Sequence, residues 1–233
     1  MTEYLMMVLE DEAAHAALPA KAVAELLEER AAFEGELLRA GVLRDRGQLR
    51  ASKEGRRVRA HRGPEEVETG PFAEDGKTLG GYYWVEAANI DAAAQLAAGA
   101  PVLDGDLIDV RPVMKGEPPD RPLDKPGKTF ACAVLGNSIS EDAWVKVMDR
   151  IDAETSARFP LESFHGGVRL EAPRTGRRVE RRAVFDGPFL ESKEVIGGLF
   201  FMRMAHIEEC VRWAATSKFA KYGALEIREL WRT

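Results

Sequence analysis

The feature that most constrains the fold of this chain is an internal repeat. Gly70-Pro71-Phe72 recurs as Gly187-Pro188-Phe189, an offset of 187 − 70 = 117 residues. When residues 70–113 are laid over residues 187–230 without a gap, eleven positions are identical. Nearer the start of each copy the offset drifts, as expected when loops differ in length. The chain is therefore a tandem duplication.

A proline-rich segment separates the two copies. Residues 115–128 contain four prolines and no cluster of large apolar residues, which is typical of an extended, semi-rigid linker. We predict one copy in residues 1–114 and a second in residues 129–233. Each is long enough to form a small domain.

Both copies show the same order of predicted elements. A short apolar strand (4–9 or 130–135) precedes an amphipathic helix, and an aromatic strand follows the Gly-Pro-Phe turn. A second helix near 90–98 or 207–216 and a closing strand complete the copy. The order β-α-β-β-α-β is that of a ferredoxin-like unit, whose sheet has one face without helices. We therefore predict an α+β fold of two ferredoxin-like units, in which each copy covers the open sheet face of the other.

Repeated charges mark the arginine-rich segments and the closing strands. Segments 42–60 and 166–184 look like hairpin strands whose charged sides face solvent. Asp109-x-Arg111 and Glu226-x-Arg228 each place an acid and an arginine on the same face of a closing strand. Each pair is either an anchor for an anionic substrate or a structural bridge, and charged pairs commonly protect edge strands.

Composition and charge exclude several classes of function. The net charge of −6 disfavours non-specific binding to nucleic acid. Charged residues interrupt every apolar stretch before it reaches the length of a membrane span. The N-terminus lacks the basic region of a signal peptide. Two cysteines, both expected in buried positions, make the reducing cytoplasm the expected location. No glycine pattern fits a nucleotide site and no histidine spacing fits zinc, so we expect no cofactor and no metal.

Residues 186–198 carry the most distinctive motif. They read Asp-Gly-Pro-Phe-Leu-Glu-Ser-Lys-Glu-Val-Ile-Gly-Gly. This turn, the following Glu-x-Lys and the double glycine resemble the signature of the DGPF-motif proteins, which belong to the YCII-related family. The resemblance covers nearly the whole chain, twice. It implies a dimeric α+β barrel, which the two copies would form within one polypeptide as a pseudo-dimer.

The first copy departs from this motif. Thr69 stands where the second copy has Asp186, and the lysine slips by one position to Lys77. The intact second copy is therefore the better candidate for chemistry. The resemblance implies no single reaction: some relatives are proposed to transfer protons with a His–Asp pair, and one group dehydrochlorinates hydroxylated aromatics. His15 lies on the segment where such a histidine would fall, but the loose alignment there assigns it no role.

The candidate site residues all lie in the second copy. Glu191 and Lys193 face the same side of an extended segment, where they form either a base with an anion-binding lysine or an exposed ion pair. His165 is the best-placed histidine for general-base catalysis, the alternative being an ordinary surface or core residue. Asp186 either takes part in catalysis or closes an Asx-turn. The predicted site residues are, for catalysis, Glu191, His165 and Asp186 and, for substrate binding, Lys193, Arg228 and Glu226.

Two classes of function remain open. One is an enzyme that binds a small polar or aromatic molecule in the cleft and catalyses cofactor-independent acid–base chemistry, such as isomerisation, dehydration or elimination. The other is a non-catalytic ligand-binding or regulatory module, which the position of many DGPF-motif genes beside alternative sigma factors suggests. A closed interior packed with Tyr83, Trp84, Phe200 and Phe201 would favour a scaffold. The expected partner is a small molecule, and the expected state is a monomeric pseudo-dimer or a homodimer.

A thermal-shift screen tests the role of Glu191. If Glu191 contacts the ligand, compounds that raise the melting temperature of the wild type should raise that of Glu191→Gln less. Equal shifts in both proteins would remove the support for a pocket built on Glu191.

Overall fold

The described part of the chain consists mainly of β-strands. The computed structural model describes residues 1–59, 66–72, 76–119, 127–137, 146, 149, 162–186, 194–217 and 219–231. The elements of the first copy are β1 (Thr2–Glu10), α1 (Glu12–Ala16), α2 (Ala20–Arg39), β2 (Leu43–Leu49), β3 (Arg56–Arg59), β4 (Glu66–Thr69), β5 (Thr78–Ala87), α3 (Ile90–Ala98) and β6 (Leu107–Glu117). Those of the second copy are β7 (Lys128–Asn137), β8 (Phe164–Leu170), β9 (Arg177–Glu180), β10 (Ala183–Asp186), β11 (Glu194–Met204), α4 (Ile207–Thr216), α5 (Phe219–Tyr222) and β12 (Gly223–Trp231).

The helices begin and end at local sequence signals. α3 and α4 match the two helices predicted near 90–98 and 207–216, and the side chain of Asn89 caps α3. α2 ends just before Gly41, whose φ of +69° is the left-handed conformation that glycine adopts readily. The first helix predicted for the second copy lies largely outside the described residues. No helix in the described ranges is both long and apolar enough to cross a membrane.

Eight strands form a closed antiparallel barrel. Their order is β1-β5-β2-β12-β7-β11-β8-β6, and β6 pairs again with β1. Each copy contributes four neighbouring strands. The closing strands, β6 of the first copy and β12 of the second, make the two junctions between the copies. β12 pairs with β2 through Leu230 and Trp231, and β6 pairs with β8 between Val113 and Glu117. The helices pack against the outward-facing side chains of the strands.

Each copy also extends a hairpin arm onto the other copy. β3 pairs with β4 on one side and with β12 of the second copy on the other. β9 pairs in the same way with β10 and with β6 of the first copy. Segments 42–60 and 166–184, expected to form hairpin strands, each contain one barrel strand, β2 or β8, and one arm strand, β3 or β9. The hairpin partner of each arm strand is the strand that follows it, β4 or β10. Both neighbours of β2 are barrel strands, β5 and β12, so β3 does not pair with β2. It pairs instead with β4 and with a part of β12 that β2 does not contact.

The closing strands are central rather than edge strands. β12 lies between β7 on one side and β3 and β2 on the other. Edge protection is thus the wrong explanation for the repeated acid–arginine pairs. Arg57, Arg111, Glu226 and Arg228 are all buried, so the prediction that the charged sides of the arms face solvent is also wrong for Arg57.

Side chains on the aromatic strands alternate between two layers. Trp84 and Phe201 point into the barrel, whereas Tyr83 and Phe200 pack beneath the helices. Inside the barrel the ring centroids of Tyr82 and Phe201, from different copies, are 5.5 Å apart. The four aromatic residues that the scaffold hypothesis names therefore do not pack together in the barrel interior, because only Trp84 and Phe201 lie there.

β6 extends beyond the predicted end of the first copy. It continues to Glu117, and β7 begins at Lys128. Lys115 and Gly116, which the sequence places in the linker, pair with Arg169 and Val168 of β8. The start of the proline-rich segment thus helps to close the barrel, while residues 120–126 lie outside the described part.

Gly116→Ala tests the junction between β6 and β8. A Cβ at Gly116 would overlap the ring of buried Trp84 and approach the carbonyl oxygen of Gly167 to 2.9 Å. We expect the free energy of unfolding to fall by about 1–3 kcal/mol in chemical denaturation. Gly35→Ala, whose Cβ would meet only the flexible end of Arg39 on α2, is the control and should be neutral or stabilising. Equal stability of the two variants would contradict this account of the junction.

Candidate functional site

A cavity of about 450 Å³ lies between the two copies inside the barrel. This volume falls in the range of about 300–1,000 Å³ that is usual for small-molecule sites. The strands of both copies supply its apolar walls, which include Met7, Leu9, Leu79, Leu107, Ala133, Leu135 and Ile196. The arms and closing strands supply most of its charged residues, which are Arg57, Asp109, Arg111, Arg177, Arg178 and Glu226, and Lys77 before β5 supplies another.

Two reciprocal ion pairs join the copies at the cavity. Arg57 on the arm of the first copy contacts Glu226 of the second copy at 2.8 Å. Arg178 on the other arm donates to both carboxylate oxygens of Asp109 in the first copy, at 2.8 and 3.2 Å. The repeat relates these pairs, because Arg178 follows Arg57 by 121 residues and Glu226 follows Asp109 by 117. The acids of the closing strands are therefore partners of the opposite arm.

The repeated arginines of the closing strands clamp the copies together. Arg228 donates from Nε to the carbonyl of Arg50 and from Nη1 to the carbonyl of Leu79, each at 2.7 Å. Arg111 donates from Nε to the carbonyl of Glu171 at 2.9 Å and from Nη1 to that of Ile196 at 3.3 Å. Each guanidinium thus crosses from its own copy to the backbone of the other. These contacts favour a structural role for Arg228.

The other predicted site residues do not assemble into one site in the described structure. Glu191 and Lys193 lie outside the described residues. Asp186 is exposed on β10 and contacts Arg177 at 3.0 Å, and His165 is half-buried on β8. Neither is among the described residues that line the cavity, whereas Glu226 is. Catalytic roles for Glu191, His165 and Asp186 and a binding role for Lys193 stay predictions.

A histidine–carboxylate pair forms instead in the first copy. His15 lies on α1, which begins where Asp11 accepts the amides of Ala13 and Ala14. Its Nε2 is 2.8 Å from Oδ2 of Asp106, a residue just before β6 that is only 1% exposed. The bond to Asp106 uses Nε2, so Nδ1 is the ring nitrogen that this bond leaves unoccupied.

Backbone amides hold Asp106 in place. Oδ1 accepts the amide of Asp11 and Oδ2 accepts the amide of Leu103, both at 3.1 Å. These bonds and the one from His15 outweigh the effect of burial, which by itself would raise the pKa of Asp106, and its pKa is lowered. The bond to Asp106 in turn raises the pKa of His15 above its usual 6.5, although partial burial opposes the shift. The pair is a carboxylate that orients an imidazole.

Glu10 completes a cluster of three possible metal ligands with His15 and Asp106. One donor atom from each residue lies within 4.8 Å of the others. However, Glu10 forms a 2.6 Å ion pair with Arg30, and the imidazole bonds Asp106 directly. A metal ion would have to displace both interactions and would meet the charge of Arg30. The three side chains are therefore arranged for a shared proton between His15 and Asp106 rather than for a metal ion.

The two cysteines do not supply a nucleophile. Cys132 and Cys210 are completely buried in the core beneath α4, as the sequence predicts. Burial raises the pKa of both thiols, that of Cys210 to about 12. Both therefore stay protonated at neutral pH.

The first copy thus carries the acid–base pair although its Gly-Pro-Phe motif is the degenerate one. At the fixed offset of 117, Gly223 stands where the first copy has Asp106, so the second copy lacks the buried acid of the pair. The assignment of chemistry to the second copy missed this pair. The available signal was an aspartate directly before the closing strand of one copy only.

The closed barrel, the cavity between repeated halves and the oriented histidine describe a ligand-binding or enzymatic α+β barrel protein. The family model of the YCII-related domain matches residues 2–117 and again residues 142–233. The chain therefore belongs to the YCII-related family, as a tandem duplicated member. No curated protein matches the chain in sequence.

Three solved structures are similar over nearly the whole chain. A proposed chlorite dismutase is 10% identical, with a TM-score of 0.41 and coverage of 99% of this chain and 96% of its own. A haem-binding protein from Thermus thermophilus is 9% identical, with a TM-score of 0.39 and coverage of 99% and 91%. An anthrone oxidase-like protein is 8% identical, with a TM-score of 0.39 and coverage of 100% and 92%. Similarities of this size identify no ligand or reaction for this chain.

Asp106→Asn tests the coupling of the pair by NMR titration of the His15 ring. Removing the carboxylate should lower the pKa of His15, because the hydrogen bond that is the largest cause of its rise is lost while burial, which lowers the pKa, remains. Because the folded pKa of His15 is raised, the stability that the charged pair adds is full below pH 6.5 and disappears as the pH rises through that pKa. His15→Gln should therefore lower the free energy of unfolding by about 1–3 kcal/mol at about pH 6 and by less at about pH 9.

The exposed His206 provides the control for this titration. His206→Gln should leave the titration of His15 unchanged, because His206 lies before α4 in the second copy and is not among the groups that shift the pKa of His15. A His15 pKa that is the same in wild type and Asp106→Asn would show that the pair is not coupled in solution.

Proposed function

We propose that this YCII-related protein is an enzyme that catalyses cofactor-independent proton transfer on a small molecule bound between its two copies. The observation that carries the proposal is the 2.8 Å bond between His15 and buried Asp106. His15 is the general acid–base group, and Asp106 is its positioning residue. Isomerisation, dehydration and elimination are the reaction types that such a group serves.

The environment of His15 suits proton transfer in both directions. With its Nε2 proton donated to Asp106, the neutral ring presents Nδ1 as a base, and the protonated ring presents an N–H at the same position. A pKa raised above 6.5 moves the group towards neutral pH, where a group that must both accept and release a proton works best. Asp106 stabilises the imidazolium that forms when the ring takes a proton from the substrate.

Neither His15 nor Asp106 is among the described residues that line the cavity, so the pair lies next to the cavity wall, and its neighbours along the chain connect it to that wall. Leu107, which follows Asp106, lines the cavity. Lys77 also lines it and donates from Nζ to the carbonyl of Gly105, which precedes Asp106. The strand start that holds the acid is therefore part of the cavity wall.

We also propose that each copy is one ferredoxin-like unit and that the pseudo-dimer is the functional unit. The strand orders β2-β5-β1-β6 and β8-β11-β7-β12 agree with this arrangement. In the first copy α2 follows β1 and α3 follows β5, as the unit requires. The boundaries 1–114 and 129–233 then describe the units, apart from residues 115–117 at the end of β6 and Lys128 at the start of β7.

Deuterium exchange tests the proposed activity without knowledge of the full reaction. The protein is incubated in D₂O with a panel of hydroxylated aromatics, lactones, enones and keto acids, and proton NMR detects compounds that gain deuterium at carbon. We expect exchange in at least one class, and a loss of about 100-fold or more in His15→Gln, as for removal of a general acid–base group. His206→Gln should retain the wild-type rate.

A second outcome would select the non-catalytic alternative. If a compound binds but exchanges equally fast with wild type, His15→Gln and buffer, the protein is a ligand-binding or regulatory module. The cavity, which forms without His15, makes that the second candidate function.

A further inference from the structure

We propose that the cavity binds a small organic acid, with its carboxylate held by Lys77 and Thr78 and its apolar body between the walls of the two copies. The inference rests on the part of the proposed function that places a ligand in this cavity. It does not depend on proton transfer by His15.

Thr78 supplies the observation that points to a ligand. Thr78 is one of the described residues that line the cavity, and it is only 5% exposed. Its buried hydroxyl finds no hydrogen-bond partner among the described residues. A buried hydroxyl without a partner is unfavourable, and natural structures satisfy such groups with protein, water or ligand. An acceptor in the cavity would satisfy Thr78.

Lys77 places a positive charge next to this hydroxyl. Its ammonium donates to the carbonyl of Gly105, a neutral partner, and it forms no ion pair with a carboxylate in the described part of the chain. An ammonium has three N–H donors, so two remain after this bond. One N–H of the flexible Lys77 side chain and the hydroxyl of Thr78 supply a donor for each of the two oxygens of a carboxylate.

The cavity as a whole favours an anion. Its described lining contains five basic residues, Arg57, Lys77, Arg111, Arg177 and Arg178, against two acidic ones, Asp109 and Glu226. The lining therefore carries an excess of 5 − 2 = 3 positive charges, of which that of Arg177 is offset by Asp91 and Asp186 outside the lining, in a chain whose net charge is −6. Charges lining a cleft with apolar walls raise the local concentration of the opposite charge.

The repeat sets the orientation of the ligand. At the offset of 117, Lys77 and Thr78 correspond to Glu194 and Val195. Val195 also lines the cavity, so one end offers a hydroxyl and the other a methyl group. The carboxylate therefore lies at the end near β5, beside the strand start that carries Asp106, and the apolar part lies towards β11.

Isothermal titration calorimetry on the full chain tests this inference. The probes are benzoate and 3-phenylpropionate, with benzamide and benzyl alcohol as uncharged analogues and inorganic phosphate as a second anion. We expect at least one acid to bind, and its uncharged analogue to bind about tenfold or more weakly. Thr78→Val, which introduces the residue found at Val195, should weaken binding of the acid about three- to tenfold. Thr78→Ser should retain the wild-type affinity, which separates the hydroxyl from the shape of the side chain.

Lys77→Met should weaken binding of the acid at least as much as Thr78→Val. The control is Lys21→Met, because Lys21 is an exposed lysine on α2 that is paired with Glu25, and it should bind as the wild type does. Failure of both acids to bind, equal binding of acid and amide, or unchanged affinity in both Thr78→Val and Lys77→Met would overturn the inference. Phosphate that competes as strongly as the organic acid would also overturn it, in favour of an inorganic anion site.

His15→Gln separates this inference from the proposed enzyme. Acid binding that persists in His15→Gln, without deuterium exchange in the wild type, would support the carboxylate site and reject the proton-transfer activity. Deuterium exchange that depends on His15 but occurs only on compounds without a carboxylate would support the proton-transfer activity and reject the carboxylate site.

Discussion

The pairing of each closing strand with both copies is the constraint on which the rest of this structure depends. β6 and β12 hydrogen-bond to a strand of their own copy on one side and to an arm and a barrel strand of the other copy on the opposite side. Arg111 and Arg228 extend this exchange by donating to backbone carbonyls across the junction. Because both strands are shared, the barrel closes and a cavity is left between the copies.

Fusion of the two copies in one chain allows them to differ around a common framework. In a symmetric homodimer, any substitution appears at both ends of the barrel. Here Asp106 is replaced by Gly223, and Thr78 by Val195. The reciprocal arginine–carboxylate pairs remain in both halves, so the framework keeps its symmetry. The acid–base pair and the carboxylate-binding donors lie in the first copy, while the intact Gly-Pro-Phe motif lies in the second.

Patterns within one element predicted much of the fold and little of the site. The amphipathic pattern of the first helix predicted α2, and the apolar runs predicted β1 and β7, because these signals depend on neighbours along the chain. The sequence did not predict how the arms pair with the other copy, because one partner of β3, at Leu225–Ile227, lies more than 160 residues away in the chain. His15 and Asp106 are 91 residues apart, and no local pattern indicates that they meet.

A duplicated α+β protein of the YCII-related family could be recognised from the amino-acid sequence alone, because the repeat, the hydrophobic periods and the Gly-Pro-Phe turn are all patterns of contiguous residues. The sequence does not show which charged side chains hold the two copies together, because that depends on contacts made in the folded barrel. Arg228 and Glu226 look like a substrate anchor in the sequence, but they are bound by Leu79, Arg50 and Arg57 of the other copy. Such partners are set by the closure of the barrel, which joins residues from both halves of the chain.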